Sequence, residues 1–203
     1  MNFVLSAAAA VALIFSSCQP EDPTPSNNNS NATAMFTATI DGASYEMIVT
    51  TTSLVQQGYS DYTSIDSQTS PVTFTGSWGS SMYNYSTNES AEVAIGQLTW
   101  TGATLPAYND WKALFNTGSK NYIFGGDGVR IAIDEANVYW TTSSGTADQT
   151  GSTFTITSMT EKTISGIPHI EIEASFSCKL YDGNGGSRTL TNGYFKGQFQ
   201  YAD

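Results

Sequence analysis

Over long stretches of this chain, apolar and polar positions alternate with the period of two that a half-buried β-strand requires. The clearest run lies between residues 170 and 180. Ile170, Ile172, Ala174, Phe176, Cys178 and Leu180 share one parity, while Glu171, Glu173, Ser175, Ser177 and Lys179 share the other. Asp182-Gly183-Asn184-Gly185-Gly186 then reads as a hairpin turn, because Gly and Asn tolerate positive φ. The return strand places Phe195, Gly197, Phe199 and Tyr201 on one face. Upstream, Phe36, Ala38 and Ile40 lead into an Asp41-Gly42 turn, after which Tyr45, Met47 and Val49 follow at the same spacing. Val72, Phe74 and Trp78 share a parity, and Val93 with Ile95 opens a strand that ends near Trp100. Val129, Ile131 and Ile133 pair with Val138, Trp140 and Thr142 across the turn at 134–137, and Phe154 with Ile156 marks one strand more.

One segment departs from this rhythm. Between Pro106 and Asn116, Tyr108, Trp111, Leu114 and Phe115 fall on one helical stripe, and Gly118 follows as a stop. The pattern predicts an all-β domain, an antiparallel β-sandwich with one short helix covering an end of the sheets. A lipocalin-like β-barrel is the alternative, since a closed barrel shows the same alternation.

The N-terminus follows a different logic. Residues 3–15 (FVLSAAAAVALIF) are apolar apart from one serine, and Ser16-Ser17-Cys18 follow at once. This stretch has the length of a secretory signal and falls short of the roughly 20 apolar residues of a spanning helix. Small residues ahead of a cysteine resemble the lipobox of bacterial lipoproteins. The resemblance implies cleavage before Cys18 and acylation of Cys18, giving membrane attachment through lipid chains. Residues 1–17 are thus expected to be a lipoprotein signal peptide, and 18–34 a lipidated cysteine with a disordered tether. Pro, Asn and Ser dominate the tether, which has no aromatic residue and no apolar periodicity. Gln19-Pro20-Glu21-Asp22 resembles the acidic export tag of surface lipoproteins in the Bacteroidota. It implies an outer-membrane protein that leans to the cell surface. Residues 35–203 are the length of a single domain.

Eighteen acidic residues against 7 basic ones give a net charge of −11. Nucleic acid is a poor partner for such a chain, because binding it needs clustered cations. The chain has two cysteines. With Cys18 acylated, Cys178 has no intramolecular disulfide partner, and its parity places it in the core as a small hydrophobe.

The residues carry little recognisable chemistry. His169 is the only histidine, it shares the outward parity of Glu171, and no G-x-S-x-G elbow is present. It is expected to be a solvated residue at a strand end. One histidine and one core cysteine leave no zinc site of the usual kinds. Asp182 and Asn184 begin like a calcium loop, but Gly193 stands where the bidentate Glu would be, and the turn explains both residues. Asp127, Asp134 and Glu135 are a second acidic group. Glu171 and Glu173 have a separation that paired glycosidase acids would allow, yet alternating glutamates on a solvated face serve solubility. No catalytic residue, metal or other cofactor is therefore expected. Aromatics are the remaining lead, since 11 Tyr and 4 Trp exceed what a small core requires and flat rings make good sugar platforms. Tyr139 and Trp140 are adjacent on a strand, so one of them should approach solvent. Tyr83 and Tyr85, like Tyr59 and Tyr62, lie in polar, Ser-rich context. Tyr139, Trp140, Tyr83 and Tyr85 are the candidate ligand-binding residues.

Several segments carry a further likeness. Phe36-Thr37-Ala38-Thr39-Ile40-Asp41-Gly42 opens the domain, and Gly128-Val129-Arg130-Ile131, Tyr139-Trp140-Thr141-Thr142 and Gln149-Thr150-Gly151-Ser152-Thr153-Phe154 lie in its middle. Phe176-Ser177-Cys178-Lys179-Leu180 and Leu190-Thr191-Asn192-Gly193-Tyr194-Phe195 close it. Together they resemble a Bacteroidota outer-membrane lipoprotein family of unknown function with a β-sandwich-like domain. The resemblance covers most of 35–203, except 54–70, and implies no catalytic residues. The expected function is that of a lipid-anchored envelope protein acting as a non-catalytic binding or adhesion module for a glycan or an envelope protein. A structural or accessory subunit of an outer-membrane assembly is the alternative, and a hydrolase a more distant one.

Overall fold

Residues 31–50, 54–66, 71–122 and 128–202 are described in a computed structural model, from residue 60 to 66 as backbone only. Cys18, the signal segment and the tether up to residue 30 lie outside the described residues, as does Asp127. The alternation becomes eleven strands: β1 (Ala34–Ile40), β2 (Ala43–Val49), β3 (Leu54–Asp66), β4 (Thr73–Asn84), β5 (Glu89–Thr101), β6 (Gly118–Ser119), β7 (Val129–Glu135), β8 (Val138–Thr141), β9 (Thr153–Ile164), β10 (Ile167–Tyr181) and β11 (Ser187–Gln200). One helix, α1 (Tyr108–Ala113), interrupts them.

All strands belong to one antiparallel sheet of order β2-β1-β11-β10-β8-β7-β5-β4-β3, with β9 along β10 and β6 on β9. Tight turns set the antiparallel pairing. Asp41-Gly42, Ala136-Asn137 and Ser165-Gly166 each have two consecutive positive φ values, the geometry whose twist matches that of the flanking strands. The sheet curls until it is nearly closed into a barrel, so its two halves face one another as the layers of a sandwich do. Closure is made by β3 against β11. The pairing of β1 with β11 stops at Lys196, and Gly58 of β3 approaches the backbone beyond it. A Cβ on Gly58 would lie 2.9 Å from the Gln198 carbonyl oxygen and 3.1 Å from the Gln200 nitrogen, so this approach requires glycine.

The core fills the space between the halves. Phe36, Trp78, Met82, Ile95, Ile131, Ile133, Phe154, Ile172, Phe195 and Phe199 are buried. Each contributes about 1.5–3 kcal/mol relative to an exposed position. Cys178 lies in this core as expected, and burial pushes its thiol up to about 12. The predicted helix is real but shorter than its apolar stripe: after Ala113 the amides of Leu114 and Phe115 bond the carbonyls of Trp111 and Lys112, closing a tighter turn. The stripe does what its pattern implied. Trp111, Leu114 and Phe115 are buried, with Trp111 packed on Phe115 at 5.2 Å and on Tyr201 at 5.0 Å between ring centres. The helix caps one end of the curled sheet, and the turns at 41–42, 85–88, 136–137 and 182–186 gather at the other.

One expectation changes, and one stretch without a prior reading gains an element. His169 is buried, not solvated at a strand end. It does keep the parity of Glu171, but it lies between Lys162 and Gln200 as cross-strand neighbours, whose long side chains share its face. Its Nδ1 lies 2.9 Å from the Ile167 carbonyl oxygen. The segment 54–66, which the resemblance leaves uncovered, is a thirteen-residue strand. Its inward face opens with Leu54, Gln56 and Gly58, so the apolar signal that marks other strands is missing. Gln56 is accommodated because its amide donates to Ser80 Oγ at 2.8 Å inside the barrel.

Candidate functional site

Register decides which polar-face residues meet. Directly paired residues of antiparallel strands point to the same side. Across β3, β4, β5, β7 and β8, one such line runs Val55, Tyr83, Ser90, Asp134, Tyr139 on the outer face. It lies at the turn end, away from α1. Tyr85, just past the end of β4, packs edge-on against Tyr83 with centroids 4.8 Å apart. The Tyr83 hydroxyl donates to Asn88 Oδ1 at 2.8 Å, which holds its ring in place. Tyr85 is 69% exposed and Tyr139 49%, and with Val55 and Val138 they make four of the five exposed large hydrophobic residues among those described. The fifth, Ile164, lies on the β9–β10 hairpin.

Trp140 takes the other side of β8. Its ring packs against the core, and the Arg188 guanidinium sits 5.4 Å from its centroid. Arg188 is held in turn by Asp41 at 3.1 Å and Glu135 at 2.5 Å. Of the four candidate residues, the structure therefore brings together Tyr83, Tyr85 and Tyr139 and places Trp140 on the opposite face.

Two steps along the strands from the tyrosine line lies a polar cluster that the sequence reading missed. Arg130 pairs with Glu92 at 2.6 Å, and both side chains are largely covered. Tyr59 lies over Gly79, where a Cβ would meet its ring at about 2 Å. Its hydroxyl is hydrogen-bonded to Glu92, and burial, then the Glu92 charge, raises its pKa. Burial also raises Tyr139. For Arg130 burial acts downward, but the hydrogen bond and charge of Glu92 outweigh it and the net shift is up. The small side chains of Ala94 and Ala132 are buried beneath this group although they face outward. Only the pairing of β3 with β4 brings Tyr59 here, and the polarity of β3 concealed that strand.

Other candidates resolve into structural roles. Asp182 accepts the amides of Asn184 and Gly186, both at 2.8 Å, so its carboxylate closes the turn. Among the described residues no group of three or more His, Cys, Asp or Glu is arranged to hold a metal ion. Burial pushes Glu171 up, yet its bonds to Lys162 at 2.6 Å and to Gln198 at 3.3 Å leave it net lowered. A carboxyl held ionised in this way is unsuited to act as a general acid near neutral pH. An open hollow of about 290 Å³ is lined by Lys120, Asn121, Tyr122, Ala147, Gln149 and Ser152. The polar groups of Tyr122 and Gln149 are committed to backbone: the Tyr122 hydroxyl contacts the Thr153 and Ser177 carbonyls, and the Gln149 amide bonds Thr142 and Lys179. No helix among the described residues is long and apolar enough to cross a membrane. No family model, no curated protein and no solved structure matches the chain.

Proposed function

We propose that this chain is a lipid-anchored protein of the outer membrane, displayed toward the cell surface, whose β domain acts as a non-catalytic binding module for a glycan. The observation that carries the binding reading is the line of rings, half-buried Tyr83 with exposed Tyr85 and Tyr139, on an outer face whose neighbouring positions are, apart from Val55, small or polar. Ring faces cover the apolar C–H faces of sugars, and the polar positions between them supply hydrogen bonds. The strip is narrow and interrupted by Ser90 and Asp134. That suits a hydroxyl-rich ligand better than the broad apolar interface of an obligate subunit. The anchor reading rests on the apolar stretch before Cys18. Each buried methylene of an acyl chain contributes about 0.8 kcal/mol, so two or more chains hold stably.

Two experiments test this. A Cys18→Ser chain expressed in a Gram-negative host should remain unprocessed and take up no radiolabelled fatty acid; a mature, membrane-held product would refute the anchor. The purified chain should be retained by at least one polysaccharide on a broad array, and absence of retention across that array would refute the glycan module.

A further inference from the structure

The same outer face has an electrostatic character that narrows its ligand. Among the described residues, the tyrosine line and the polar cluster beside it hold one cation, Arg130. Arg130 is engaged by Glu92. Asp134 stands in the line itself, between Ser90 and Tyr139. Glu92 and Asp134 are two carboxylates against one guanidinium group, an excess of one negative charge. The next cation across the sheet, Lys179, is paired with Asp148 at 2.9 Å. On a chain of net charge −11, this surface repels a polyanion.

Resting on the glycan reading, we infer that the ligand is a neutral polysaccharide, and that uronate-bearing and sulfated polymers are excluded. The spacing of the rings points to an extended chain rather than a single sugar. Tyr83 and Tyr139 are separated by three strand intervals, about 14 Å at ordinary strand spacing. Ser90 and Asp134 lie between them and offer a hydroxyl and a carboxylate, groups that bond sugar hydroxyls. The Glu92–Arg130 pair, with the Tyr59 hydroxyl on Glu92, adds further polar atoms at the inner margin without adding net charge. A neutral ligand on this surface binds with little dependence on salt, because no ion pair forms across the interface.

The test is affinity electrophoresis and calorimetry of the full chain against neutral polymers (a mixed-linkage β-glucan, an α-mannan, a galactomannan) and acidic ones (polygalacturonate, chondroitin sulfate), at low and high sodium chloride. The expected result is binding to at least one neutral polymer, with equal affinity at both salt concentrations and none for the acidic set. Tyr83→Ala and Tyr139→Ala should each weaken binding by about tenfold, near 1.4 kcal/mol, with unchanged circular dichroism. Binding of polygalacturonate or chondroitin sulfate that weakens with salt would overturn the neutral-ligand inference while leaving the glycan module standing. Neutral-polymer binding that survives both tyrosine substitutions would overturn this site. Silence toward both sets would refute the glycan reading itself.

Discussion

Replacing Gln149 by alanine should destabilise the domain far more than its half-exposed loop position suggests. Along the edge of β10, pairing with β9 ends at Ser177 and the contact with β8 begins only at Tyr181. The Gln149 side chain occupies the gap and acts as a missing piece of strand. Its Nε2 donates to the carbonyl of Lys179 at 2.7 Å and that of Thr142 at 3.2 Å. Its Oε1 accepts the Lys179 amide at 3.0 Å and the Ser152 hydroxyl at 2.8 Å. At a net ~1 kcal/mol per bond, the four give an upper figure of about 4 kcal/mol. Lys179 and Ser152 are only partly buried, so water recovers some of this and about 2–3 kcal/mol should be lost. Urea unfolding followed by circular dichroism measures the difference directly. Gln149→Glu adds a pH signature. A protonated Glu can still donate to one carbonyl, whereas its carboxylate would face two carbonyl oxygens, so the folded-state pKa of the new Glu should rise above its ordinary value of about 4.3. A raised folded pKa means the stabilising form is fully present below the unfolded value and is lost as pH rises through the folded one. Gln149→Glu should therefore approach the wild type near pH 4 and fall behind it above pH 6. An alanine variant within ~0.5 kcal/mol of wild type, or a glutamate variant most stable at high pH, would refute the view that this amide completes the sheet.

Two further outcomes follow from the packing. Trp111 is fully buried, and its indole N–H has no hydrogen-bond partner among the described residues. Trp111→Ala should cost about 3–5 kcal/mol. Trp111→Phe should cost well under half of that, because it keeps most of the ring and removes an N–H that gains nothing in the fold; urea midpoints compare the two. Cys178, buried and with its thiol raised to about 12, should react with a thiol reagent only through unfolding. In Cys18→Ser protein the labelling rate should rise with urea in step with loss of circular dichroism, and rapid labelling in buffer would contradict the core placement.

The alternation of Ile170 to Leu180, the Asp41-Gly42 turn and the apolar stripe from Tyr108 to Phe115 already determined, by themselves, an all-β domain with one short helix over its end. Such patterns are local: a period of two, a residue that tolerates positive φ and a helical stripe each follow from neighbours in the chain. The exposure of one member of the pair Tyr139 and Trp140 was legible for the same reason. Other features were decided only by tertiary structure, because they depend on which strands lie side by side. β3 carries no apolar face of its own and becomes a strand through β4 and through the closure at Gly58. His169 has outward parity, yet the long side chains beside it bury it. Glu92 and Arg130 lie 38 residues apart, and Tyr59 precedes both on another strand; register alone makes them one cluster. Tyr83 and Tyr139 become a candidate binding line in the same way. Residues distant in sequence acquire a common chemistry only when the pairing of strands sets their spacing and their side of the sheet.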